Sequence, residues 1–138
     1  MLSNTLNTNE IKDASGAEVE FERIAIDNAS TTFKQVDEDI TTPNRMSISH
    51  QHVGSGVNAV RRSLVRFDLS VVNSTTGQKG VCSAYCNLVV PEGMLENMNA
   101  PTKVLAQLVS FVASLGASTT ILYDGTGNGA ASLLNETV

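Results

Sequence analysis

The sequence predicts an α+β fold, an antiparallel meander of strands followed by one long helix and a short tail. Three observations carry this expectation. Between residues 18 and 91 the hydropathy alternates with a period of two, broken by polar, glycine-containing loops. After Pro91 the apolar residues recur at helical spacing. The 138 residues suffice for one domain with a modest core. Residues 1–138 are therefore one domain: 1–39 an N-terminal hairpin region, 45–91 the central strands, and 99–138 a helix and tail.

Residues 1–17 are polar and show no clear period. "EVEFERIAI" (18–26) alternates acid and apolar, with Val19 and Phe21 on one face and Glu20 and Glu22 on the other. "DNAS" (27–30) reads as a turn and "TTFKQV" (31–36) as the second strand of a hairpin. After the acidic connection "DEDITTPN" (37–44), "RMSISHQHV" (45–53) turns Met46 and Ile48 one way, and Ser47, Ser49 and Gln51 the other. "GSG" (54–56) is a flexible loop. "VRRSLVRFDLSVV" (60–72) sets Val65, Phe67, Leu69 and Val71 against Arg62, Leu64, Arg66, Asp68 and Ser70. Arg61 falls in the apolar phase, where its strand-end position lets it reach solvent. Beyond the loop "NSTTGQKG" (73–80), "VCSAYCNLVVP" (81–91) separates Cys82, Ala84, Cys86, Leu88 and Val90 from Ser83, Tyr85 and Asn87.

The helix is expected over 99–116, with Asn99 as N-cap, Pro101 in the first turn and Gly116 as the stop. Val104, Leu105, Leu108, Val109, Val112 and Leu115 form its apolar stripe. A short element around 119–123, a glycine loop, and a short helix or docked tail with Leu133 and Leu134 follow. One sixteen-residue helix, about 24 Å long, covers only part of so wide an apolar sheet face. A partner's helix would complete the cover, so an obligate dimer is expected.

Charge is unevenly placed on this chain of net −5. Residues 1–39 hold three basic against nine acidic side chains, residues 40–91 five against one, and residues 92–138 one against four. A basic middle between acidic flanks points to an anionic partner on one surface. The polar sheet face, Ser47, Ser49, Gln51, Arg62, Arg66, Tyr85 and Asn87, has the chemistry for RNA: arginine for phosphate, tyrosine for stacking, Ser, Asn and Gln for base edges. Alternation alone would also produce such a face as plain solvated surface.

Other chemistry finds little support. Cys82 and Cys86 do not have thioredoxin or zinc spacing, and on a strand lie roughly 13 Å apart; they read as small buried hydrophobes. Serines, His50, His52 and Asp68 come without a nucleophile elbow or oxyanion loop. His50 and His52 have no evident third metal ligand. "DGTGNGAASLLNE" (124–136) lacks a P-loop lysine, and Asn135 stands where a calcium loop needs glutamate, so it reads as a flexible loop. No cofactor and no enzymatic activity are expected. The start, "MLSNTLNTNE", is not a signal peptide, no apolar run is long enough to cross a bilayer, and the default location is cytosolic.

From Met46 to Leu115 the sequence resembles the coat proteins of single-stranded RNA bacteriophages, the levivirus type. The features are "MSISHQHV", a Gly-Ser loop, "RRSLVRFDLSVV", a polar loop, "CSAYCNLVVP", then a helix and an "LLNE" tail. The resemblance implies an N-terminal hairpin, a five-stranded antiparallel sheet and C-terminal helices, interlocked as a dimer with a continuous sheet. Such dimers build an icosahedral shell, assembled in the bacterial host cytoplasm and found in the virion. The inward sheet face binds genomic single-stranded RNA, in several members one hairpin that serves as packaging signal and translational operator. By position, Ser47, Ser49 and Gln51 match the first RNA-facing strand, Arg62 and Arg66 the second, and Tyr85 and Asn87 the third. Leu64 and Asp68 depart from the pattern, the first altering any base pocket and the second adding negative charge near phosphate. "NSTTGQKG", with Gly77 and Gly80, would be the loop that switches between shell positions, where an ordinary surface hairpin loop is the alternative; if the cysteine-bearing strands pair across the dimer axis, Cys82 would approach a partner's Cys86. The competing expectation is a small dimeric sheet protein that binds RNA without forming shells.

Overall fold

The computed structural model describes residues 2–117 and 120–137. They form two compact units, Met1–Asn7 with Glu20–Leu95, and Thr8–Val19 with Glu96–Val138.

The first unit is a six-stranded antiparallel sheet whose strands lie side by side in chain order: β1 (Thr5–Leu6), β2 (Phe21–Ile26), β3 (Ser30–Gln35), β4 (Asn44–Val53), β5 (Val60–Val72) and β6 (Lys79–Val90). Strands β2 to β6 are the five expected. β1 is an addition: a lone Leu6 in a polar stretch shows no period, yet it sits opposite Phe21 and is buried. β2 starts at Phe21 rather than Glu18, because Glu18 bridges to Lys12 within the second unit. A bulge between Arg23 and Ala25 breaks the β2 alternation. It places Ala25 opposite Thr32 and Ile26 opposite Thr31, and leaves Ile24 exposed.

The ladders fix two faces. Phe33, Met46, Phe67 and Ala84 lie opposite one another in a row across β3 to β6, and Ile48, Val65 and Cys86 in the next. This face carries the core: Leu6, Phe21, Phe33, Met46 and Val90 are buried. The Phe21 ring meets Phe67 edge-on, with centroids 6.1 Å apart at 80°. Burial thins toward the C-terminal end of β5, where Leu69 and Val71 remain exposed. Cys82 is exposed and Cys86 half-buried, both as free thiols, which corrects the reading of two buried small hydrophobes. β6 is the last strand of the sheet, and on its core side Cys82 and Ala84 are exposed, Cys86 and Leu88 half-buried and Val90 buried.

The loops are more built than their composition suggests. "GSG" leads into a short 3-10 turn, Gly56–Asn58, rather than a flexible loop. The Gly93 N–H donates to the Ala59 carbonyl over 3.1 Å. A β-carbon on Gly93 would come within 2.7–2.8 Å of the Val57 backbone, so the segment after β6 is seated directly on this turn. Between β5 and β6, the Asn73 carboxamide accepts from the N–H groups of Thr75 and Thr76 at 2.9 and 3.0 Å. Gly77 there has a positive φ of 71°, whereas Gly80 lies within β6 and is no hinge.

In the second unit, α1 (Asn99–Ala113) carries the expected stripe but begins after Met98, with the Asn97 carboxamide accepting the Asn99 N–H at 3.0 Å. It ends at Ala113, two residues short of the expected Leu115, as Ser114 turns extended and its hydroxyl donates to the Ser110 carbonyl at 2.6 Å. Gly116, with φ +50°, lies beyond that end. Of the short element expected around 119–123, residue 119 lies outside the described residues and 120–123 form no regular element. α2 (Asn128–Leu134) is the expected short helix, with Leu133 and Leu134 exposed rather than docked. Gly127, just before α2, and Gly129, within it, serve close packing rather than flexibility: a β-carbon on Gly127 would collide with the Val112 carbonyl, and one on Gly129 would lie 2.7–2.8 Å from the Phe111 ring. Asp124 closes a turn of its own on Thr126, bonding N–H and hydroxyl at 3.0 and 2.6 Å, and no metal-binding cluster occurs among the described residues.

The close seat of Gly93 yields a test. Gly93→Ala forces a methyl group against backbone and should destabilise the sheet by about 1–3 kcal/mol. Urea unfolding followed by circular dichroism would show a lower midpoint; an unchanged midpoint contradicts the contact.

Candidate nucleic-acid interface

The face opposite the core is polar because the same ladders bring alternate residues of β4, β5 and β6 into cross-strand rows. Ser47 stands opposite Arg66, which stands opposite Tyr85. One step along, Ser49, Leu64 and Asn87 form a row; the next is Gln51, Arg62 and Val89. All seven residues proposed from sequence are therefore brought together on one patch, three strands wide. Adjacent rows lie about 6.7 Å apart along the strands and adjacent strands about 4.8 Å apart. Alternation assigns each residue a face, but only the register decides which of them are neighbours.

The chemistry within the patch is graded. Arg62 is exposed and has no ion-pair partner among the described residues. Arg66 is held: its Nε lies 2.8 Å from one Asp68 oxygen, and its Nη2 donates to the Ser83 hydroxyl over 3.3 Å. Ser83 in turn donates to Asp68. Asp68 thus braces Arg66 rather than only opposing a phosphate. The Arg66 side chain stays 47% accessible, and a surface ion pair of this kind contributes only about 0–1 kcal/mol. A phosphate can therefore displace Asp68 at small cost. Tyr85 is 72% exposed, an open ring standing beside Arg66 on the edge strand. Leu64 is half-buried between Ser49 and Asn87, an apolar floor between two hydrogen-bonding side chains.

Two extensions were missed from sequence. Thr32 lies opposite Ser47 and Ser30 opposite Ser49, so β3 continues two rows with hydroxyls. Strand β3 alternates weakly, and only pairing with β4 reveals the continuity. The remaining cations of β3 and β4 are neutralised locally: Lys34 pairs with Glu22 at 2.7 Å, and Arg45 with Glu38. Of the arginines and lysines of β3, β4 and the polar face of β5, Arg62 is left without an ion-pair partner among the described residues, while Arg66 shares its charge with Asp68.

Arg61, on the core side, does not simply reach solvent. Its Nη1 lies 3.1 Å from Glu92, which also receives His52 Nδ1 at 3.2 Å. His50 bonds the Ser63 hydroxyl at 2.9 Å. The two histidines thus brace the strand end, next to the Gly93 seat.

The Ser83 hydroxyl, then the Arg66 guanidinium, hold Asp68 below the usual aspartate range. A carboxylate so depressed contributes stability that is present above its unfolded value and lost as pH falls through the folded one. An NMR titration should place the Asp68 midpoint below that of free aspartate, and Ser83→Ala should move it upward. An Asp68 midpoint insensitive to Ser83→Ala contradicts the bond.

The sequence matches no family model and no curated protein. Solved structures do match. The bacteriophage EMS014 coat protein superposes with TM-score 0.69 over 96% of this chain and 94% of that one, at 10% identity. The virus-like particle of bacteriophage EMS014 gives 0.69 over 99% and 97%, at 8% identity. The virus-like particle of Beihai levi-like virus 32 gives 0.54 over 67% and 75%, at 17% identity. The six-stranded antiparallel sheet followed by two helices is the coat-protein fold of the levi-like bacteriophages.

Proposed function

We propose that this chain is a structural, non-catalytic subunit of an RNA bacteriophage shell, and that the polar sheet face binds the packaged single-stranded RNA. The observation that carries the reading is the full-length correspondence with the EMS014 coat protein, for which a virus-like particle is also known. The patch on β4 to β6 supports the RNA half of it. Arg62 and Arg66 contact phosphates, Arg66 by exchanging Asp68 for a phosphate oxygen. Tyr85 stacks on an unpaired base, and Ser47, Ser49, Gln51 and Asn87 address base edges or sugar hydroxyls around the Leu64 floor. A single RNA hairpin, rather than any strand, is the ligand that such a fixed arrangement would select.

Assembly starts with a dimer. Strand β6 is the long edge of the sheet, β1 with two residues being the other, and its residues from Gly80 to Val90 carry no charge. Edges exposed to solvent are ordinarily protected by charge, proline or bulges. An unprotected edge of this length is suited to pairing with a second copy, which makes the sheet continuous across the dimer. The exposed apolar stripe of α1, with Val104, Leu108 and Val109, is the surface that the interlock buries. Charge fits the same arrangement. The basic middle of the chain lies inward against RNA and the acidic flanks outward, in a virion assembled in the host cytoplasm.

Expression in bacteria tests the reading. Electron micrographs should show uniform particles, with RNA that survives nuclease treatment. A soluble dimer that never assembles favours the alternative, a small RNA-binding sheet protein. For dissociated protein binding single-stranded RNA, Arg62→Ala with Arg66→Ala should lower the slope of log K against log salt by about 1.4, at ~0.7 per phosphate contact. Unchanged slope and unchanged particle RNA would remove this face from the account.

A further inference from the structure

The hydrogen-bond phase of β6 deepens the dimer reading on which it rests. Ser70 N–H donates to the Pro43 carbonyl at 2.9 Å, so the even residues of β5 turn their backbone groups toward β4. Its odd residues then bond β6, as the Asn73 N–H does to the Gln78 carbonyl at 2.8 Å. With β5 paired to β6 in the register Leu69–Cys82 and Val65–Cys86, the even residues of β6 are the ones that face β5. The outward-directed N–H and C=O groups therefore belong to Lys79, Val81, Ser83, Tyr85, Asn87 and Val89.

Antiparallel pairing about a two-fold axis must match outward residues with outward residues, so the axis passes through a residue position. Centred on Ala84, all six find partners within the strand: Lys79 opposite the partner's Val89, Val81 opposite the partner's Asn87, Ser83 opposite the partner's Tyr85, and the reverse. Centred on Tyr85, Lys79 would face the partner's Pro91, which has no N–H to give. Centred on Ser83, Val89 would face the partner's Gly77, in the loop before the strand.

We propose that β6 pairs with β6 of a second copy about an axis through Ala84, and that Cys82 and the partner's Cys86 thereby form two symmetric inter-chain disulfide sites. Cys82, Ala84 and Cys86 fall at the non-hydrogen-bonded positions of the new ladder, where opposed Cα atoms approach to about 4.5 Å. Disulfides use Cα separations of roughly 4.4–6.8 Å. Ala84 meets its own copy at this close approach with a single methyl group. Both cysteines lie on the core-side face, Cys82 exposed and Cys86 half-buried in the free chain. Within one chain the two thiols cannot meet. In a reducing compartment they stay free, and oxidation outside it would fasten an assembled dimer.

The azo oxidant diamide tests the proposal. For each bridge, two thiols lose two protons and two electrons, one S–S bond forms, and the N=N bond of diamide is reduced to a hydrazine. Oxidised wild-type protein should run on a non-reducing gel at twice the 14.6 kDa chain mass and return to one chain with reductant. Cys82→Ser and Cys86→Ser should each run as single chains. Co-expressing the two variants should restore a cross-linked band, because one Cys82–Cys86 pair survives in the mixed dimer. A band persisting in either single variant would mean a different register and overturn the proposal. No wild-type band, although light scattering shows dimers or particles, overturns it too and leaves the shell reading intact. Absence of any assembly by scattering removes the shell reading itself.

Discussion

The pairing of β4 with β5 and of β5 with β6 is the constraint on which the rest depends. It runs without a shift from Asn44–Leu69 to Val53–Val60, and from Arg61–Val90 to Val72–Lys79. In such a ladder each residue's face is set by parity, and a slip of one residue would turn Phe67 out and Arg66 in. The row Phe33–Met46–Phe67, its first two members buried and the third half-buried, opposes that slip, because breaking it would carry apolar side chains into water. Burial on one side therefore specifies which residues form the polar side, whose own members add little stability.

On the proposed reading, the same ladder also sets the mode of assembly. Phase on β5 passes to β6, and phase on β6 decides which backbone groups are left outside the sheet. Small residues occupy the core side of this edge, and the open ring of Tyr85 the polar side. On the proposed reading, one strand carries a base-stacking group, a dimer contact and a redox site, kept apart by alternation alone.

Much of this was legible in the sequence, for a physical reason. Strands β4 to β6 are half-exposed, so their hydropathy writes out the parity of each side chain, and "VRRSLVRFDLSVV" separates Arg62 and Arg66 from Phe67 and Leu69 unaided. What alternation does not contain stayed hidden. The bulge at Arg23–Ala25 is a property of pairing, and β1 rests on one leucine. Arg61 and His52 converge on Glu92, forty residues beyond His52 in the chain, which no local pattern connects. Gly93 and Gly129 look like loop flexibility because composition does not distinguish a glycine that moves from one that lets two backbones or a ring approach. The bond from Ser83 to Asp68, and through it the bracing of Arg66, needed the β5–β6 register before Asp68 could be read as a support.

The central claim is that the register sends one face of the sheet to RNA and the other to protein. Cryo-electron microscopy of particles assembled in bacteria measures this directly. The account predicts RNA density against the β4–β6 face, beside Arg62, Arg66 and Tyr85, with protein covering the side of Phe33 and Met46. A shell with the Arg62 face turned outward, or with RNA density on the opposite side of the sheet, would contradict it.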